Sequence, residues 1–71
     1  MQTKIQKMIE VVQYIHHHPG EQGKKIIANC GLSESTLYRY FSDLYFHFKV
    51  EIESINGFHI KKYGYINKEA L

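Results

Sequence analysis

Only Gly31, Leu32 and Ser33 stand between two segments whose apolar residues recur at helical spacing. Upstream, Ile26, Ile27 and Cys30 point one way. Downstream, Leu37, Phe41, Leu44 and Phe48 fall on one narrow stripe when each residue advances about 100° around a helix. Glycine is favoured just past a helix end, and Leu32 supplies an apolar plug, so the link reads as a tight corner between two packed helices. The Ser33 hydroxyl can accept from the free N–H groups of the next turn, and Glu34 suits the positive end of that helix dipole. The spacing predicts helices over about Glu21 to Cys30 and Glu34 to Phe46.

An earlier amphipathic segment, with Ile5, Met8, Ile9, Val12 and Ile15 inward and Lys7, Glu10 and Tyr14 outward, predicts a first helix over about Thr3 to His17. Pro19 disfavours helical geometry at His18, and Gly20 frees the backbone to turn. Beyond the third helix the period changes, because "KVEIESINGFHIKK" alternates. A two-residue loop at Asn56-Gly57 would pair Ile55 with Phe58 and split Val50 and Ile52 from Phe58 and Ile60. A three-residue loop of Ile55, Asn56 and Gly57, with Gly57 left-handed, pairs Ser54 with Phe58 and Ile52 with Ile60, gathering the apolar residues on one face. That register also sets Glu51 opposite Lys61 and Glu53 opposite His59. In "INKEAL", Asn67 is placed to cap three helix formers. The expected fold is α+β, three helices followed by a C-terminal two-stranded hairpin. Residues 1–66 form one domain and 67–71 the start of a linker helix.

Seventy-one residues, 44% of them apolar, suffice for one core and exclude a second domain. The single cysteine rules out an intramolecular disulfide, and Cys30 is expected to be a small core residue. Lys4, Lys7 and Glu10 interrupt the apolar residues of the N-terminal segment, so it reads as neither signal peptide nor membrane span, and a cytoplasmic location is expected. Catalytic motifs are missing: no Ser, His and acid arrangement, phosphate-binding glycine loop or zinc spacing is present, so an enzyme and a cofactor are not expected. His16, His17 and His18 are adjacent on a helix and point in different directions, so they cannot close a metal site by themselves. His16 falls on the apolar face, and His17 and His18 suit the helix C-terminus. Tyr40, Tyr45 and Phe46 are expected to cover the core or seat the hairpin.

Opposite its core stripe the third helix carries Ser35, Arg39 and Ser42, flanked by Tyr38 and Thr36. That is a row of hydrogen-bond donors where a plain surface helix would carry Glu and Lys. With the hairpin after it, "IIANCGLSESTLYRYFSDL…VEIESINGFHI" resembles a winged helix-turn-helix, in particular the N-terminal DNA-binding module of WYL-type transcriptional regulators and of the biotin-operon repressor. In those, a Gly-hydrophobic-Ser turn leads into a recognition helix, then a short strand, a glycine tip and an aromatic opening the second strand. Thr36 to Phe41 also resembles the recognition helix of the tetracycline-repressor family, where further helices follow instead of a hairpin.

The winged resemblance implies that the third helix enters the major groove of double-stranded DNA. Ser35 and Arg39 would then read base edges, Ser33, Thr36 and Tyr38 would meet phosphate oxygens, and Ser42 would extend the same face. Lys24 and Lys25 would flank the backbone, and Asn56, His59, Lys61 and Lys62 would act from the wing. A net charge of +2 permits such binding without demanding it. The expected function is transcription regulation, with no small-molecule substrate and no membrane partner. The expected chain is the N-terminal part of a longer regulator that dimerises as a whole while this part alone is monomeric; the rival expectation is a complete small protein that dimerises through the first helix or Tyr63 and Tyr65. A winged helix used for protein contact through Tyr38, Tyr45, Phe46 and the wing is the competing expectation.

Overall fold

The structure, a computed structural model, describes residues 2–71. Three helices, α1 (Lys4–His17), α2 (Gly23–Cys30) and α3 (Glu34–Phe48), precede an antiparallel hairpin of β1 (Glu51–Ser54) and β2 (Phe58–Lys62). This is an α+β arrangement with the order of a winged helix.

Thr3 starts α1 through a capping box. Its side chain accepts from the Gln6 N–H while the Gln6 side chain accepts from the Thr3 N–H, so two otherwise orphaned donors are satisfied. Ser33 caps α3 in the expected way, accepting from Thr36 N–H. The third helix runs two residues past the expected Phe46; after it Lys49 N–H donates to the Tyr45 carbonyl, and the left-handed backbone of Lys49 (φ 59°) turns the Val50 N–H back to the Leu44 carbonyl at 3.1 Å. The second helix starts two residues later than expected. Glu21 is taken by the hairpin instead: Phe58 N–H donates to the Glu21 carbonyl at 2.9 Å, and Gly20 N–H donates to the Phe58 carbonyl at 3.0 Å. A single residue of the α1–α2 turn thus pairs beside β2.

Two apolar clusters share α1. The first gathers Val11, Ile15, Ile26, Cys30, Leu37 and Phe58; the second gathers Met8, Val12, Leu44 and Val50. Consecutive residues Val11 and Val12 are both buried because they face different clusters. The buried arc of α1 is therefore rotated by roughly 45° from the stripe expected in sequence. Val11 enters the core and Ile5 is left 54% exposed. Tyr14, expected outside, packs on the first cluster; its hydroxyl donates to the Glu21 carboxylate at 3.2 Å and accepts from the Asn29 amide at 3.1 Å.

The hairpin register pairs Ser54 with Phe58, Glu53 with His59 and Ile52 with Ile60 as expected. At its open end a bulge between Glu51 and Ile52 moves Glu51 opposite Lys62 instead of Lys61. After β2 the chain turns at Gly64, where a β-carbon would overlap the Phe48 and Lys49 carbonyls, and Tyr65 N–H donates to the Phe48 carbonyl at 2.8 Å. Ile66 and Leu71 then pack on the second cluster. Asn67 does act as a cap, accepting from Glu69 N–H, but the turn that it caps, Lys68–Ala70, is 3-10 rather than α-helical. Among the described residues no helix is long and apolar enough to cross a membrane.

Candidate nucleic-acid interface

Helix α3 buries Leu37 and Leu44 and half-buries Phe41, which turns Ser35, Arg39 and Ser42 to solvent on its far side. At the N-terminus three hydroxyls form a chain. The Ser33 hydroxyl donates to the Thr36 hydroxyl oxygen at 2.8 Å, and Ser35 Oγ lies 3.3 Å from Ser33 Oγ. Ser33 and Thr36 are thus committed to the cap and to each other before any ligand arrives. The exposed Tyr38 ring leans edge-on against Phe41 and Phe58, at centroid distances of 5.9 and 6.3 Å. Phe58, at the tip end of β2, and Phe41 thus support one edge of that ring.

One further member of this face is an aromatic that only the competing, protein-contact expectation places at the surface. Phe46 lies one helical turn beyond Ser42 and is 66% exposed, with the 49%-exposed Tyr45 edge-on to it at 5.4 Å. Expected to cover the core or seat the wing, both rings instead stand in solvent. Helical spacing alone places Phe46 opposite Leu37; its apolar character pulled the expectation inward.

Lys24 joins α3 at a cleft of about 260 Å³ whose walls include Glu34, Tyr38, Ser54 and Phe58. The cleft closes tightly because residue 23 is glycine: a β-carbon there would lie 3.0 Å from the Phe58 ring. Lys25 is exposed on the same helix. The N-terminus of α2 has no side-chain cap from Gln22.

The wing residues are dispersed. At the tip, Asn56 (φ 53°) and Gly57 (φ 94°) are both left-handed, and Gly57 packs so closely on Gly20 that a β-carbon would overlap the Gly20 carbonyl. The tip is thereby docked on the α1–α2 turn, and Asn56 and His59 lie beside Gly20. His59 is also cross-strand from Glu53, and Lys62 is drawn to Glu51 with Nζ 3.6 Å from Oε2. Lys61 is exposed, and no ion pair engages it among the described residues.

The electrostatics of α3 centre on Asp43. Its Oδ2 is enclosed, with the Lys4 ammonium of α1 at 2.8 Å as counter-charge. The Lys4 ammonium beside it is the main cause holding the Asp43 carboxyl below its ordinary value, against a smaller opposing effect of burial; His47 and Arg39 add weaker attraction. Burial pushes the Cys30 thiol upward. The three adjacent histidines diverge: His16 Nδ1 is 2.7 Å from the Tyr63 hydroxyl, His17 Nε2 is 2.8 Å from the Leu71 carbonyl, and His18 stacks on Tyr14. Among the described residues no group of three or more His, Cys, Asp or Glu is placed to hold a metal ion.

The described arrangement therefore brings Ser33, Ser35, Thr36, Tyr38, Arg39 and Ser42 onto one helix, adds Lys24 at its flank, and leaves Asn56 and His59 at a separate corner. Comparisons with family models, with curated proteins and with solved structures gave no match.

Proposed function

We propose that the chain is a binding module rather than an enzyme, that it recognises double-stranded DNA with α3 in the major groove, and that it serves transcription regulation in the cytoplasm. The observation that carries this reading is the outward face of α3. Ser35, Tyr38, Arg39 and Ser42 are exposed there, with Glu34 at the edge of the face beside Lys24, on a helix whose other face is pinned to α1, α2 and the wing. A guanidinium on such a face can bridge guanine O6 and N7, and hydroxyls suit phosphate oxygens. Lys24, Lys25 and Lys61 supply backbone contacts, and Lys62 does so only by leaving Glu51. A homodimer would place two copies of α3 on successive half-sites.

Tyr45 and Phe46 favour a second reading, in which α3 docks on another protein, since exposed aromatics are enriched in such interfaces. Titration of labelled duplexes at two salt concentrations separates the two. DNA binding should weaken steeply with salt, the logarithm of the association constant falling by about 0.9 per phosphate neutralised for each unit of log salt. Duplex binding that is absent or indifferent to salt favours the protein surface.

A further inference from the structure

Arg39 and Asp43 are four residues apart on α3, the spacing at which opposite charges on a helix meet. They do not pair: Asp43 Oδ2 is held by Lys4, and among the described residues no carboxylate is in ion-pair distance of Arg39. We propose that Lys4 is a positioning residue for the DNA interface, sequestering Asp43 on the α1 side so that the Arg39 guanidinium stays free for the nucleic acid. This rests on the function proposed above.

Several observations support the arrangement. Lys4 is the first residue of α1, where a cation opposes the helix dipole and no acidic residue offsets it, so its placement is explained by the contact across to α3 rather than by α1 itself. Lys4 is the largest influence on the Asp43 carboxyl, whereas Arg39 is the last and weakest of the attractive ones. The carboxylate has three cations near it, Lys4, His47 and Arg39, and it pairs with Lys4, on the α1 side and off the outward face. Removing Lys4 leaves the carboxylate with His47 and Arg39, each one helical turn away, as its remaining cations, and we assign it to Arg39. A neutralised Arg39 and an unbalanced negative charge would then both oppose a polyanion.

The test is a double-variant cycle on the full chain with a mixed-sequence duplex of ~20 base pairs at low salt and one pH. K4Q should weaken binding about two- to threefold, the scale of one exposed helical ion pair. In the D43N background the same Lys4 change should do nothing, so D43N and K4Q/D43N bind alike. If Lys4 touched phosphate directly, K4Q would weaken both backgrounds equally and the proposal would fall. A DNA-free readout accompanies it: by NMR titration the Asp43 carboxyl should stay below its ordinary value in K4Q and rise in K4Q/R39Q. Equal values in those two variants would overturn the switch of partner even if duplex binding is normal. A wild-type chain that binds no duplex, with the NMR result as expected, overturns the DNA function and with it the purpose given to Lys4, while the charge competition itself stands.

Discussion

Arg39 is the side chain on which the binding reading depends most. Its position on the outward face follows from helical spacing alone; its freedom from Asp43 does not, because a sequence offers the pair at ideal separation and says nothing of Lys4 reaching across from α1. Arg39→Ala should cost ~1 to 3 kcal/mol of affinity for the best duplex and relax preference at one base position, measured by competition among single-base variants. Unchanged affinity would remove Arg39 from the interface. Asp43 carries a pH consequence. Its carboxyl is held below the ordinary 3.8, so the stability it contributes is present above that value and lost as pH falls through the lower folded value. Urea unfolding of wild type and K4Q should therefore differ near neutral pH and converge in acid. A difference that persists below both values would mean Lys4 stabilises the fold by other means. Tyr45 and Phe46 show the opposite failure of reading: their residue type suggested burial, and the geometry of α3 left them outside.

At the level of elements, starts and stops followed local chemistry where a side chain supplied it. Ser33 caps α3, Gly31 closes α2 with φ 67°, and Asn67 caps the last turn, all visible from residue type. The boundary of α2 was missed because the competing interaction is remote: Glu21 bonds through its backbone to Phe58, thirty-seven residues on, and no local signal reports that. The bulge that sets Glu51 against Lys62 likewise has no signal in the alternating residues of the strand. The wing tip depends on Gly57 twice, for its positive φ and for its contact with Gly20. Gly57→Ala should destabilise the protein by about 2 kcal/mol or more. It should also speed hydrogen exchange at the Gly20 and Phe58 amides more than at the α1 core, because it undocks the wing from the α1–α2 turn. Exchange raised uniformly would show instead that the wing is no separate unit.

For the molecule as a whole, 71 residues leave little margin, and the two clusters on α1 must both be closed. Ile66 and Leu71 help close the second. Ile66→Ala, a change at a half-buried site far from the proposed interface, should remove about 1 to 2 kcal/mol and lower the melting temperature by about 5 to 15 °C while duplex affinity at low temperature is kept. An unchanged melting temperature would show that residues 63–71 add nothing to the core. The element types and order, the donor-rich face of α3 and the apolar face of the hairpin were determined by the chain alone, since each arises from residues within a few positions of one another, where spacing and residue type dictate which side is apolar. Tertiary structure alone decided which arc of α1 is buried, that Glu21 serves the wing and not α2, and that Asn56 and His59 lie by Gly20. It also decided that Lys62 turns to Glu51 and Asp43 to Lys4. Each of these is a competition between partners distant in sequence, and its outcome depends on distances that exist only after the elements have packed.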